Sequence, residues 1–204
     1  MRNILEVDSR IRVHKIRDFI DEPVIIYVNE FDDDAVRDFE EDMDRAHETT
    51  QEVIPIVIES YGGSCYGENA MVSSVLNAKK PVATIVKGRA MSAGACLFGY
   101  GTEGYRFMDP FATLMIHDAA AGVGGKVEDV KASAKQLEHL NIVTYKRLSK
   151  HLGHDEDYLL KEISKKKHVD WYLTAKEAKK HNLANHLYVP EFRTKITVET
   201  TFGK

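Results

Sequence analysis

The chain has 204 residues, of which 43% are hydrophobic and 29% are charged, as in a globular protein with one domain or one domain and a small appendage. Its formal net charge of −4 argues against general nucleic-acid binding. No stretch approaches the roughly 20 apolar residues of a membrane span, and the charged residues throughout 1–21 argue against a secretory signal.

Strand and helix patterns alternate along the first half of the chain. Residues 23–28 and 53–60 are apolar runs that predict buried strands, and a Gly-Gly turn ends the second of them. Between them, residues 31–48 predict a helix whose three leading aspartates favour its positively polarised end. Residues 66–80 predict a second helix that ends before a proline, and residues 82–86 predict a third strand.

The second half continues this alternation. The elements predicted there are a short apolar helix at 92–100, strands at 105–108 and 112–117, and helices at 127–151, 156–164 and 175–181. Strands that alternate with helices indicate α/β layering with a largely parallel sheet. In such sheets functional groups gather beyond the carboxyl ends of the strands, and the glycine-containing turns of this sequence lie there.

A serine stands between the third strand and the next helix, among small residues in the stretch GRAMSAGACLFGYG. A sharp strand-to-helix turn needs small neighbours, because bulky side chains would clash with the adjoining backbone. The free N–H groups at the helix start would favour negative charge near the serine. Ser92 is therefore a candidate nucleophile, and the alternative is a small residue that lets the helix start close to its neighbours.

The Gly62-Gly63 turn is the second element of the candidate site. A strand that ends in this way brings a backbone N–H close to a reacting carbonyl group. Together with the amide of Ala93 it would bind an oxyanion, where one donor contributes ~3 kcal/mol to an acyl-transfer transition state. The alternative interpretation is a plain tight turn.

His117 is the candidate general base, because it ends the apolar strand ATLMIH and would face the same cleft as the serine. A lone histidine at a strand end is more often structural, but the pairing with Ser92 favours catalysis. The other histidines lie in charged or helical stretches and are predicted to be surface residues: His14, His47, His139, His151, His154, His168, His181 and His186.

An acid that orients the imidazole would complete the constellation. Asp170 is the preferred candidate, since it precedes the aromatic and apolar segment WYLT. Asp118 adjoins His117, and neighbouring strand residues point to opposite faces, which disfavours it. Asp109 is a weaker rival, and the residues alone leave the choice among the three open.

The two cysteines, Cys65 and Cys96, lack the spacing of metal ligands or of a redox pair. We predict that they pack as small hydrophobes in the reducing cytoplasm. No motif predicts a metal or an organic cofactor.

Three separated stretches resemble the ClpP serine peptidases: IESYGGSCYGENAMVSSVLNAKKPVATIVKGRAMSAGA, YRFMDPFATLMIHDA and VDWYLTAKEAKKHNLANHL. They occur in the family order of serine, histidine and aspartate, and the resemblance extends from about Val24 to Val189. It implies that Ser92 is the nucleophile, His117 the general base and Asp170 the orienting acid. It also implies an oxyanion hole formed by two backbone amides, those of Gly63 and Ala93.

The resemblance further implies an α/β fold of stacked ββα units, similar to that of the crotonases, with a protruding helical hairpin. The helix at 127–151 would be that protrusion, with the glycine-rich segment 119–125 at its base. Seven copies would form a ring, stacked in pairs around a chamber, and an ATP-driven AAA+ unfoldase would supply unfolded polypeptides.

On this basis the chain divides into an N-terminal segment at 1–22, a ClpP-like peptidase domain at 23–190 and a C-terminal tail at 191–204. The leading hypothesis is a cytoplasmic serine endopeptidase that acts on peptides or unfolded chains. One alternative is a catalytically silent ring subunit that assembles with active ClpP-like partners. Another is a crotonase-type enzyme that acts on acyl-CoA.

Overall fold

The computed structural model describes residues 22–193, so nearly all of the predicted N-terminal segment and C-terminal tail lie outside the described residues. The strands are β1 (Ile26–Val28), β2 (Ile54–Ser60), β3 (Val82–Met91), β4 (Arg106–Met108), β5 (Thr113–Ile116) and β6 (Trp171–Thr174). The helices are α1 (Asp33–Glu48), α2 (Cys65–Leu76), α3 (Ala93–Gly99), α4 (Val127–His151), α5 (Tyr158–Lys165) and α6 (Ala175–Lys180).

Strand β3 is the centre of the sheet, whose order is β1-β2-β3-β5-β6, with β4 also paired to β3. One edge of β3 pairs with β2, and the opposite edge pairs first with β4 and then with β5. All of these pairings are parallel, as the alternation of elements predicts. The carboxyl ends of β3 and β5 therefore meet at one place in the sheet.

The third strand is longer than predicted, because it continues through the polar residues 87–89 to Met91. Those residues interrupt the apolar run from which the strand was recognised. They remain in the strand because the Glu59 carboxylate accepts hydrogen bonds from the N–H groups of Gly88 and Arg89, at 3.1 and 3.3 Å. Arg89 also begins the pairing with β5, opposite Thr113.

Strand β6 was not predicted as a strand, although its segment was expected to be buried. Its four residues alternate between buried and exposed and pair antiparallel with β5, Ile116 lying opposite Trp171. A four-residue strand is specified by its partner more than by its own pattern. This antiparallel edge carries the chain back to the carboxyl end of β5.

One hydrophobic core joins the sheet to the helices. Helix α1 begins where the Asp32 carboxylate accepts a hydrogen bond from the Ala35 N–H at 2.8 Å. It buries Phe39, Met43 and Ala46 on one face, at the spacing of a helix that packs on one side. Helix α3 is buried along its whole length, which explains its run of small and apolar residues.

Helix α4 extends away from this core. Its buried residues begin only at Thr144, and most of the residues before that point are exposed. This is the arrangement expected of the predicted protrusion, although the arm that precedes it, residues 118–124, is irregular chain. No helix in residues 22–193 combines the length and the apolar character needed to cross a membrane.

Candidate active site

Ser92 lies in the turn between β3 and α3 with φ +53° and ψ −120°, a backbone conformation that residues other than glycine rarely adopt. Its N–H donates to the Met115 carbonyl at 2.8 Å, which fixes the turn to β5. Its hydroxyl does not cap the helix that follows. The Oγ atom is therefore presented beyond the sheet and is free to make another contact.

His117 follows the last residue of β5 and supplies that contact. Its Nε2 atom lies 2.9 Å from Ser92 Oγ. The Tyr145 hydroxyl on α4 donates a hydrogen bond to the His117 backbone carbonyl, so the long helix holds this point of the chain. The strand end and the serine turn thus bring together two side chains that are 25 residues apart.

Asp170 precedes the first residue of β6, and its Oδ1 atom lies 3.3 Å from His117 Nδ1. The antiparallel pair of Ile116 and Trp171 brings the two flanking residues, His117 and Asp170, to the same end of the strands. The aspartate is 51% exposed and the histidine 25% exposed, so the carboxylate end of this line faces solvent.

The two rival acids make other contacts. Asp118 Oδ1 accepts from the Asn141 side chain at 2.8 Å, while Asp118 Oδ2 lies 2.6 Å from His168 Nδ1. Asp109 accepts a hydrogen bond from the Phe111 N–H at 2.8 Å within a turn. Of the three aspartates considered, Asp170 is the one that pairs with His117.

Two backbone amides near Ser92 have no hydrogen-bond acceptor among residues 22–193, namely those of Gly63 and Ala93. The neighbouring Gly62 N–H is already donated to Ser60 Oγ at 3.0 Å. Gly62 has φ +101°, and a Cβ built there would lie 2.7 Å from Ser92 Cβ and 3.3 Å from the Ala93 nitrogen. Only glycine allows the glycine turn to approach the serine turn this closely.

A small pocket opens beside Ser92 and His117. Its other walls come from α2, α3, α4 and the chain after β5: Cys65, Glu68, Ala93, Cys96, Ala119, Leu140, Asn141, Thr144 and Tyr145. Cys65 is partly buried, Cys96 is buried, and both are free thiols.

Glu68 is the pocket residue that sequence reasoning missed. It is only 4% exposed, and burial raises the pKa of its carboxyl group to about 8, against the smaller lowering influences of the Cys96 thiol and the Arg147 charge. An acid in the first turn of a helix ordinarily indicates a solvated residue at the positive end. Nothing near it in the sequence distinguishes this buried acid from such a residue.

The prediction of surface histidines is confirmed for His139 and His168, which are exposed. It is wrong for five others, which are half-buried: His47, His151, His154, His181 and His186. Four of these pack against aromatic rings, as His154 does at 3.9 Å between ring centroids from Tyr158. An imidazole has an apolar body that packs in this way, whatever the charge of its sequence neighbours. His14 lies outside the described residues.

No group of three or more His, Cys, Asp or Glu side chains within residues 22–193 is arranged to hold a metal ion. The geometry instead suits acyl transfer: a hydroxyl, an imidazole and a carboxylate in line, with free amides beside the hydroxyl.

Comparison with known proteins finds relatives of the chain in one family. The family model described as "Clp protease" matches residues 9–191. Proteolytic subunit 1 of the ATP-dependent Clp protease from Bifidobacterium longum is 33% identical over 135 residues, which is 66% of this chain and 56% of that protein.

Two further relatives are proteolytic subunits 2 of ATP-dependent Clp proteases. The protein from Cutibacterium acnes is 31% identical over 135 residues, 66% of this chain and 62% of that protein. The protein from Corynebacterium glutamicum is 33% identical over 134 residues, 66% of this chain and 65% of that protein. The matched region thus spans less than two thirds of the length of each of these three relatives.

Proposed function

The chain belongs to the Clp protease family, and on this premise we propose that it is a serine endopeptidase, the proteolytic subunit of a ring protease that degrades unfolded polypeptides. The observation that carries the proposal is the line of contacts from Ser92 Oγ through His117 to Asp170, at 2.9 and 3.3 Å. A serine hydroxyl is a weak nucleophile unless a base takes its proton, and this line supplies the base and the acid that orients it.

Ser92 attacks the carbonyl carbon of the scissile peptide bond while His117 Nε2 takes the hydroxyl proton. Asp170 holds the proton of the neutral ring on Nδ1 and stabilises the imidazolium that forms. His117 then returns the proton to the leaving amine, which leaves an acyl group on Ser92. Water, activated by the same histidine, releases the acyl product.

The amides of Gly63 and Ala93 bind the oxyanion that forms during attack. Ala93 directly follows Ser92, and Gly63 directly follows Gly62, which closely approaches Ser92. Neither amide donates to a neighbour in the described part of the chain. Removing one such donor lowers kcat by about 10²–10³-fold in serine peptidases. Ala93 acts through its backbone N–H, so the proposed role does not require a particular side chain at this position.

The assembly is an inference from the family. The relatives are named as proteolytic subunits of ATP-dependent Clp proteases. We infer that seven copies form a ring, either single or stacked as a pair, and that a separate AAA+ unfoldase feeds it. Enclosure would limit cleavage to chains that can enter.

Labelling with a fluorophosphonate tests the reaction. The purified chain is expected to gain one label on Ser92 and to cleave a short fluorogenic peptide. Ser92→Ala is expected to lose the label and about 10³-fold or more in rate, whereas Ser133→Ala, at an exposed position of α4, serves as the control and keeps both. A wild-type chain that assembles but accepts no label would contradict the proposal and favour a silent subunit.

A further inference from the structure

The pocket beside Ser92 contains a buried carboxyl group that the proposed reaction does not use. Glu68 lies in the first turn of α2 and is 4% exposed. It lines the same small pocket as Ser92, Ala93 and His117. A titratable group in this position either supports the fold or meets the substrate.

The surroundings of Glu68 do little to support it. Its polar neighbour is the Cys96 thiol, a weak donor, and the Arg147 charge acts on the carboxyl group less strongly than that thiol does. A buried carboxyl group with so weak a partner lowers the stability of the fold. A substrate group that hydrogen-bonds to it would remove that penalty.

The state of the carboxyl group limits what it recognises. Because burial raises its pKa to about 8, Glu68 is mainly a neutral acid at pH 7. A neutral acid donates one hydrogen bond through its O–H and accepts another at its carbonyl oxygen. Its complement is a group that both accepts and donates, such as a hydroxyl.

The size of the pocket limits the substrate further. Leu140 and Tyr145 of α4 line it together with Cys65 and Cys96, and the space that they leave holds about one water molecule. A hydroxymethyl group fits in such a space, whereas a leucine or lysine side chain needs several times that volume.

The position of the pocket identifies the residue that enters it. When the substrate carbonyl lies over Ser92 with its oxygen toward the amides of Gly63 and Ala93, the attached side chain is that of P1, the residue on the acyl side. The pocket begins at Ser92 and Ala93 themselves, so the P1 side chain is the one within reach.

Taking the peptidase function as given, we propose that Glu68 restricts cleavage to bonds that follow a small, uncharged hydrogen-bonding residue, serine or threonine. The Thr144 hydroxyl, on the α4 wall of the pocket, offers a second hydrogen-bond partner for the bound side chain. A P1 side chain without a polar group would leave the Glu68 carboxyl unpaired, and a site built around a hydrogen bond rejects such analogues strongly.

Fluorogenic peptides that differ only in P1, with Ser, Ala, Leu or Lys at that position, test this specificity. For the wild-type chain, kcat/KM for P1 serine is expected to exceed that for each of the others by about 10-fold or more. The comparison of P1 serine with alanine tests whether the site requires the hydroxyl group. The leucine peptide tests whether it excludes a large side chain, and the lysine peptide tests whether it excludes a charged one.

Two substitutions assign the specificity to the side chain. Glu68→Ala is expected to reduce the ratio of serine to leucine at least about 10-fold, because the carboxyl is lost and the pocket grows. Glu68→Gln keeps the size and both kinds of hydrogen-bonding group, so its ratio is expected to stay within about 3-fold of wild type. Glu41→Ala, on the exposed face of α1, is the control.

Fluorophosphonate labelling of Ser92 distinguishes failure of the P1 specificity from failure of the peptidase function. A labelled wild-type chain that prefers P1 leucine or lysine, or that cleaves none of the four peptides, overturns the specificity and leaves the nucleophile intact. An unchanged serine-to-leucine ratio in Glu68→Ala does the same. Should Glu68→Ala fail to fold, the wild-type series still decides whether the specificity exists. A serine-to-leucine ratio in Glu68→Gln that departs from wild type by more than about 3-fold would then contradict the hydrogen-bonding role of the side chain. Absence of any label contradicts the peptidase function itself.

Discussion

Ser92 is held in a strained backbone conformation at the point where its hydroxyl is presented. A non-glycine residue in so sparsely populated a region costs of order 1–3 kcal/mol. The strain is maintained by two hydrogen bonds, from the Ser92 N–H to Met115 at 2.8 Å and from the Cys96 N–H to the Ser92 carbonyl at 3.1 Å. The turn is thus fixed by β5 on one side and by α3 on the other.

Comparing Ser92→Gly with Ser92→Ala measures this strain. Both variants lack the hydroxyl and are expected to be inactive, but glycine adopts positive φ without a steric penalty. We expect the glycine variant to be more stable than the alanine variant by about 1 kcal/mol in denaturant unfolding.

The same pair of substitutions at Ser133 is the control for this comparison. Ser133 lies on the exposed part of α4, where the backbone is helical. Glycine should there be less stable than alanine by about 1 kcal/mol. The same sign of the glycine-to-alanine difference at both positions would show that Ser92 carries no strain.

The raised pKa of Glu68 predicts that the fold loses stability as the pH rises. An acid with a lowered pKa in the fold has the opposite effect. The folded chain keeps the Glu68 proton up to a pKa of about 8, whereas an unfolded chain loses it near its ordinary 4.5. Between these values unfolding releases a proton, so raising the pH favours the unfolded state. The slope for one proton is about 1.4 kcal/mol per pH unit.

The free energy of unfolding of wild type relative to Glu68→Gln is therefore expected to fall by about 2.5 kcal/mol between pH 5.5 and 7.5. Guanidinium melts at three pH values in that range measure it. The histidines titrate in both proteins, so their contribution cancels in the difference. Parallel curves for the two proteins would mean that Glu68 is ionised in the fold at neutral pH.

At the scale of elements, the segment between α5 and β6 determines where Asp170 lies. Lys167 and His168 both have φ close to +60°, a strained conformation for such side chains. The His168 ring is paired with Asp118 at 2.6 Å, and Asp118 directly follows His117. A second histidine–carboxylate contact thus joins the same two chain segments as the contact between His117 and Asp170.

Asp118→Asn tests whether this contact positions Asp170. The amide oxygen of the asparagine still accepts the hydrogen bond from the Asn141 side chain. The main loss is therefore the negative charge of residue 118, which pairs with the His168 ring. We expect kcat to fall about 10-fold with little change in KM, because the strained segment relaxes and misplaces the acid. Asp155→Asn, at an exposed position beyond α4, is the control.

A double-mutant cycle distinguishes this role from general loosening of the surface. His168→Gln should reduce kcat to a similar extent, and adding Asp118→Asn to it should cause no further loss. Additive losses, or a change in KM alone, would argue that the two residues act separately from Asp170.

Long periodic elements were predictable from the sequence, and short ones set by tertiary contacts were not. The prediction of α4 at 127–151 matches its bounds, because twenty-five residues carry a clear helical repeat. Strand β6 was missed because a pattern of four residues does not specify a strand, and its pairing with β5 is a tertiary contact. Helix α2 ends at Leu76, four residues before the predicted end, where Asn77 caps it.

The candidate site was predictable to the extent that local pattern specifies it. Ser92 and His117 each occupy a recognisable place, a small-residue turn and a strand end. The acid does not, because its partner is chosen by the antiparallel pairing of β5 with β6, and only the family resemblance favoured Asp170 decisively. Glu68 was missed because its surroundings include residues of α3 and α4, which lie far along the chain and line the same pocket.

At the scale of the whole molecule, one chain brings the serine, the histidine and the aspartate together without help from a partner. Ring assembly is therefore not needed to bring the three side chains into contact. In the proposed function the ring contributes the enclosure of the substrate. A substitution that breaks the ring should accordingly leave the contacts among Ser92, His117 and Asp170 intact.

Phe111 is a suitable position for separating them. Phe111 is 95% exposed in the turn between β4 and β5. Its backbone N–H donates a hydrogen bond to the Asp109 carboxylate at 2.8 Å. A fully exposed phenyl ring forgoes about 2 kcal/mol relative to burial, so it is a candidate contact between subunits. It precedes β5 while His117 follows it, so the two lie at opposite ends of the strand.

In the ring that we propose, Phe111→Asp should weaken each subunit contact by about 30-fold, as expected for ~2 kcal/mol, and shift the mass in light scattering toward smaller species. Phe111→Tyr keeps the ring and should keep the assembled mass. The distance between Phe111 and His117 along β5 predicts that the dissociated variant still accepts a fluorophosphonate on Ser92. An unchanged mass for Phe111→Asp would place this residue outside the subunit contacts, and a monomeric wild type would contradict the ring.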